Sequence, residues 1–295
     1  GPFKGLYMTR ASDDNIRSAA QHGGTVSALM KLALEEGFVD TALLSEHREN
    51  HLPHSHSIDS AESVVSRAGS SFVVSPTLAS FNAVSRGPAK RIGLVATPCQ
   101  ALALAKMRVN TWPEDAQRIK KLSLDVGLFC GWALSWEKLK RLLAEESRGK
   151  KIKGMDIPPS GHACMELYTD DGTIEVPIDK VNPCVRQACN YCFDMTCEFS
   201  DLAVGSARSF EGWSVDRGWN QVIVRSDVGQ SLLDLAQEKE VLEFKEVPPG
   251  NLDKLKAASA GKKQACLGNL AERTGTENDL IYLDCEDAAV CRIRS

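Results

Sequence analysis

The chain has 295 residues, 43% hydrophobic and 25% charged, with a formal net charge of -4, which allows one large or two ordinary buried cores in a globular protein. That charge argues against nucleic acid as the main partner, since phosphate binding requires clustered Lys and Arg. No basic-then-apolar leader opens the chain and no apolar run is long enough to span a bilayer, so a cytoplasmic chain without a transmembrane segment is expected.

Beyond a polar lead-in, apolar residues recur at spacings of three and four after Gly23-Gly24, predicting a helix capped by Thr25 and stopped by Gly37. A strand is expected over Phe38–Leu44, then a polar loop from Glu46 to Ser60, then a helix from Pro76 to about Val84. Arg91–Ala96 reads as a buried strand, Thr97-Pro98-Cys99-Gln100 leads into an apolar helix to Met107, and Leu122–Cys130 reads as the next strand. Together these make a βαβ unit, in which the strands run parallel and the crossover is right-handed. A helix follows over Trp136–Glu146. From Lys151 the pattern turns β-like, and His162–Tyr168 and Thr173–Ile178 flank the hairpin signal Asp170-Asp171-Gly172. A cysteine-dense loop spans 184–197, followed by strands at Asp201–Gly205 and Asn220–Arg225 and helices at Ser231–Lys239 and Leu252–Ala265. The fold class expected is α/β (mixed α+β): a mixed, partly parallel sheet flanked by helices, with a cysteine-rich cluster-binding loop region.

Ten cysteines are the anomaly. In a reducing compartment they point to metal ligation or redox chemistry, although a free Cys is often a small buried hydrophobe. The βαβ reading puts Cys99 and Cys130 at the carboxyl ends of neighbouring parallel strands, on the edge where open α/β sheets place their ligands. Cys99 also lies at a helix N-terminus, where the dipole favours thiolate. Further ligands are expected from the loop, whose centre is the C-x2-C pair Cys189 and Cys192. That pair is open to three readings: an iron–sulfur cluster, zinc, or a redox dithiol, the last lacking its usual strand-to-helix setting. A purely local set of Cys184, Cys189, Cys192 and Cys197 is a rival to the set that includes Cys99 and Cys130. Cys164, Cys266, Cys285 and Cys291 carry no motif. His47, His51, His54 and His56 crowd one polar segment and read as a solvated loop, and Trp213 and Trp219 read as core or interface residues.

In chain order, Gly23-Gly24, Gly69-Ser70 with Ser75-Pro76, Thr97-Pro98-Cys99-Gln100, Gly127-Leu128-Phe129-Cys130, Cys189-x2-Cys192-x-Asp194 and Asp201-x3-Gly205-Ser206 resemble the coenzyme F420 hydrogenase/dehydrogenase beta-subunit family. The resemblance spans roughly Gly1 to Ala265. It implies FAD, one [4Fe-4S] cluster held by Cys99, Cys130, Cys189 and Cys192, and a site for coenzyme F420. The sequence departs from the family at Cys184 and at Cys197, where a small residue such as Ala is more usual. Residues 1–268 would form the cofactor-binding domain, and the polar, acidic tail 269–295 would be a partner-docking element.

With the resemblance in hand, Gly23 and Gly24 become candidates for approach to the FAD pyrophosphate. Thr25, Ser27, Gly69, Ser70 and Ser75 are candidates for phosphate or ribityl oxygens, and Thr97, Pro98 and Gln100 for the flavin ring. Arg225 is a candidate for an anionic group, or equally for a surface salt bridge. The implied activity is that of an F420-dependent oxidoreductase subunit: hydride exchange at FAD N5 and single electrons through the cluster, with no side-chain nucleophile required. Hydrogenase, formate dehydrogenase, heterodisulfide reductase or sulfite reductase subunits are the implied partners, in methanogenesis-type energy metabolism. A ferredoxin-linked reductase of the same family and a zinc-stabilised scaffold are the alternatives.

Overall fold

The computed structural model describes residues 1–46, 54–109, 112–158, 163–207 and 216–276. Its strands are β1 (Gly5–Ala11), β2 (Thr41–Glu46), β3 (His54–Ile58), β4 (Ile92–Ala96), β5 (Leu122–Leu128), β6 (Ile152–Asp156), β7 (Cys164–Thr169), β8 (Gly172–Pro177), β9 (Leu202–Ser206), β10 (Asn220–Val224) and β11 (Leu242–Lys245). The helices are α1 (Asp14–Ala19), α2 (Thr25–Glu35), α3 (Thr77–Val84), α4 (Pro98–Val109), α5 (Pro113–Ile119), α6 (Trp136–Ser147), α7 (Ile178–Val181), α8 (Asp227–Glu238) and α9 (Asn251–Thr274).

An eight-stranded sheet runs β11-β1-β10-β9-β5-β4-β2-β3, and β6, β7 and β8 form a separate antiparallel sheet. Strands β2, β4, β5 and β9 are mutually parallel, as the βαβ reading required for β4 and β5. Because β10 is antiparallel to both β9 and β1, β1 points the same way as those four. The carboxyl ends of β1, β2, β4, β5 and β9 therefore share one edge. Both faces of the sheet are covered, which explains the continuous apolar runs. Leu124, Val126, Leu202, Val204, Val222 and Val224 face α2 and α8. Leu94, Ala96, Ala203 and Ile223 turn the other way, toward Phe81 of α3, Ala101 and Leu104 of α4 and Leu255 of α9. A third core joins Leu139, Leu142 and Leu143 of α6 to Met165, Leu167 and Val176 of the small sheet.

Four sequence expectations differ from what is observed. The polar lead-in contains β1, inserted between β10 and β11; it lacks a clean alternation because Met8, Thr9 and Ala11 are all buried in the middle of a doubly covered sheet. Part of the expected 46–60 loop is β3, antiparallel to β2, whose His-Ser-His-Ser sequence is tolerated because the strand lies at the sheet edge. Gly24, in the left-handed region at φ 78, caps α2, and Thr25 is its first helical residue. The last helix runs unbroken through Gly268 to Thr274, so a boundary drawn at 268 from composition falls inside it. The tail from 277 onward, with Cys285 and Cys291, and also His47, His51, His162 and Trp213 lie outside the described residues.

Candidate cofactor and cluster site

Four cysteines from three chain segments meet at the shared carboxyl edge. Cys99 follows the end of β4 in the first turn of α4 and is exposed. Cys130 follows β5, and its N–H donates to Met195 O at 2.9 Å, tying the strand end to the cysteine loop. Cys189 and Cys192 lie on a short 3-10 turn, in which Cys192 N–H donates to Cys189 O at 3.3 Å. Ala133 N–H donates to Cys189 Sγ at 3.3 Å, and Thr97 Oγ1 lies 3.3 Å from Cys99 Sγ.

All four are free thiols. Burial pushes the Cys130 thiol up to about 12; the Lys262 ammonium opposes the shift, and Cys189, Cys99 and Cys192 each add to it. Burial also raises Cys192, again against Lys262 and with Cys99 adding. The thiols thus lie within electrostatic reach of one another. Among the described residues no group of three His, Cys, Asp or Glu side chains is placed to hold a metal ion. Four soft thiols are a donor set whose chemistry fits an iron–sulfur centre, as it would fit zinc. Cys184 and Cys197 do not complete a local set. Cys184 is buried in the α6 core, while Cys197 is fully buried in the core beneath α4, with its Sγ 3.9 Å from Ala96 O.

The candidate flavin residues fall into two groups. Gly23 and Gly24 lie at the end of β1, where Ala11 N–H donates to Gly23 O at 2.7 Å. A Cβ on Gly23 would press on Asn220 Oδ1 and Gly218 O, so the backbone approach there admits only glycine. Thr25 is already engaged: its N–H donates to Asn220 Oδ1 at 3.2 Å and its hydroxyl pairs with Thr9 Oγ1 at 2.9 Å. Ser27 is half-buried on α2.

The second group surrounds Cys99. Gln100 Nε2 donates to Ser75 O at 2.7 Å, while Gln100 Oε1 accepts from Thr97 N–H at 3.0 Å and from Thr97 Oγ1 at 3.1 Å. Pro98 is buried beside them. Ser75 Oγ is buried and has no hydrogen-bond partner among the described residues, the state of a hydroxyl that awaits a polar ligand. Gly69, at φ 119, and Ser70 are exposed. Leu134 N–H donates to Phe72 O at 2.6 Å, fastening this loop to the chain after Cys130. Arg225 joins neither group; its guanidinium donates to Thr196 O at 3.1 Å and Thr196 Oγ1 at 2.9 Å in the cysteine loop. From β1 to β5 there are three strand spacings in the order β1-β10-β9-β5, roughly 14 Å, a reach suited to an extended dinucleotide with one end near the cysteines.

Several contributors were not foreseen from sequence. Asn220 caps α2 from a strand opening and donates to Gly205 O at 3.2 Å. Gln21, beside the glycine pair, donates to the buried Asp156 at the end of β6. Arg217 donates to Tyr168 Oη and pairs with Glu166 at 3.5 Å. Lys262 donates to Cys130 O at 2.7 Å from α9. None belongs to a local motif, and each acts on a residue remote in sequence.

Fold and site define an α/β protein that gathers cysteines at the carboxyl edge of a doubly covered sheet, next to a glycine turn that leads into a helix. Two stretches of the chain match the family described as coenzyme F420 hydrogenase/dehydrogenase, beta subunit: residues 6–82 match its N-terminal part and residues 89–249 its C terminus. The chain belongs to this family. It is 30% identical to the coenzyme F420 hydrogenase subunit beta of Methanothermobacter thermautotrophicus, covering 92% of this chain and 96% of the relative. It is 28% identical to the protein of the same name from Methanosarcina barkeri, covering 92% and 94%. Among solved structures, a chain of the F420-reducing [NiFe] hydrogenase complex from Methanosarcina barkeri superposes with a TM-score of 0.84 at 25% identity, over 93% of this chain and 94% of that one. No helix among the described residues is long and apolar enough to cross a membrane.

Proposed function

We propose that this chain is a cytoplasmic flavin and iron–sulfur electron-transfer subunit that exchanges hydride with coenzyme F420 and passes electrons to partner subunits of a hydrogenase or dehydrogenase type. The observation that carries the reading is the meeting of Cys99, Cys130, Cys189 and Cys192 at one sheet edge, beside a Ser75 hydroxyl that has no partner among the described residues. FAD supplies the exchange between hydride and single electrons, and a [4Fe-4S] cluster supplies one-electron relay.

The chain's own residues bind and orient. Cys99, Cys130, Cys189 and Cys192 hold the cluster. Gly23 and Gly24 admit the pyrophosphate to the backbone, and Ser27, Ser70 and Ser75 offer it and the ribityl chain hydroxyls and N–H groups. Gln100 fixes Thr97 against Cys99, so the flavin-side loop and a cluster ligand move as one piece. The exposure of Cys99 opens the cluster edge to a docked partner. The chain through the end of α9 serves as the cofactor-binding unit, and the tail beyond it as a partner contact.

Iron content separates this ligand set from the local rival. Cys99→Ser and Cys130→Ser are expected to lose most of the iron from anaerobically purified protein, while Cys197→Ala and Cys184→Ala keep about four irons per chain. Full iron in Cys99→Ser together with loss in Cys197→Ala would overturn the assignment.

A further inference from the structure

The cysteine loop and the chain at Cys130 are both held by α9, a helix that begins after the family-matched segments end. Its Cys266, Leu267 and Leu270 pack with Tyr191 and Phe193 on either side of Cys192. Asn269 Nδ2 donates to Asn190 O at 2.9 Å, and Arg273 lies over the Tyr191 ring, 5.1 Å from its centroid. Lys263 pairs with Glu198 at 2.6 Å, so its charge is matched. Lys262 differs from its neighbour. Its Nζ donates to Cys130 O at 2.7 Å and, among the described residues, it forms no ion pair with a carboxylate.

We propose that Lys262 sets the reduction potential of the iron–sulfur centre, as a fixed cation with no carboxylate partner among the described residues, which stabilises the extra negative charge of the reduced state. This rests on the cluster reading above. Net charge and hydrogen bonding around the sulfurs are main determinants of such potentials, and a part-buried charge is screened less by salt than an exposed one. Lys262 acts through its charge and through the Cys130 carbonyl; it is a positioning residue and no ligand. A structural consequence follows: any partner that shifts α9 also shifts the electron affinity of the centre.

The test is a potentiometric titration of the full chain, purified anaerobically with its cofactors, following the cluster by electron paramagnetic resonance and the flavin by absorbance. In Lys262→Met, reduction of the cluster is expected to become about tenfold less favourable, a fall of about 59 mV for one electron, with the flavin unmoved. Lys262→Arg should keep the parent value, and so should Lys263→Met, which perturbs the same helix without removing the cation bonded to the Cys130 carbonyl. Lys262→Gln takes the place of the Met variant where that chain does not fold. An unchanged cluster potential in Lys262→Met or Lys262→Gln would overturn the proposal. So would a fall in Lys262→Arg as large as in Met, or a folded variant without iron, since both mean packing rather than charge. A parent chain that binds no iron would instead remove the cluster reading itself.

Discussion

Asp125 lies in the middle of β5 with 1% of its surface exposed, and neither carboxylate oxygen has a hydrogen-bond partner among the described residues. Burial, then the nearby Asp201 carboxylate, hold it up to about 8, against a downward pull from Arg108 on α4. The folded chain therefore keeps a proton that the unfolded chain releases near pH 3.9, and folding stability falls as pH rises from there to about 8. Asp125→Asn removes the titration. Relative to the parent, the variant should gain stability by up to about 1.4 kcal/mol per pH unit across that window and none above it. Urea midpoints from pH 5 to 9 check this, and parallel pH profiles for the two chains would refute it. The sequence offered no hint of Asp125, because its shift comes first from burial within a doubly covered sheet and then from Asp201, a carboxylate remote in the chain.

At the scale of elements, β5 and the cysteine loop are locked by close approach. A Cβ on Gly127 would overlap Cys197 and Ser200 Oγ, and Cys197 itself sits at φ 54, in the left-handed region. Gly127→Ala is expected to cost about 1–3 kcal/mol and to loosen the strand end that carries Cys130. Cys197→Gly removes the two closest of the obstructing atoms and suits the backbone angle, so the double variant should recover about 1 kcal/mol of that loss in a double-mutant cycle. Additive effects would show that the two positions do not clash. Placement of Cys99 and Cys130 was legible because period, length and turn signals fixed a βαβ unit, and its geometry sends both strand ends to one edge. The contacts of Thr25 with Asn220 and of Lys262 with Cys130 were not, since local pattern holds no record of which distant strand or helix arrives beside a residue. For the same reason β1 and β3, whose place depends on their neighbours in the sheet, passed as polar segments.

For the whole molecule, the large sheet interleaves the two family-matched segments. Strands β1 and β2 come from the N-terminal match, yet β1 pairs with β10 and β11, and β2 pairs with β4, all from the C-terminal match. Neither segment has a complete sheet alone, so the glycine turn and the cysteine edge are assembled only by the full chain. The loop carrying Ser75 and the cysteine loop are stitched to the same stretch after Cys130, through Phe72 to Leu134 and Ala133 to Arg186. A flavin site and a cluster built on that stretch would share one rigid support, as relay of electrons between them requires.

The most direct measurement of that relay is an absorbance spectrum and iron assay on anaerobically purified protein, followed by addition of reduced F420. The account predicts a flavin envelope over a broad iron–sulfur shoulder, about four irons per chain, and bleaching of both when reduced F420 is added. A flavin and cluster that fail to bleach would contradict the F420 reaction and favour a ferredoxin-linked reductase, and a colourless protein containing zinc would contradict the redox account altogether.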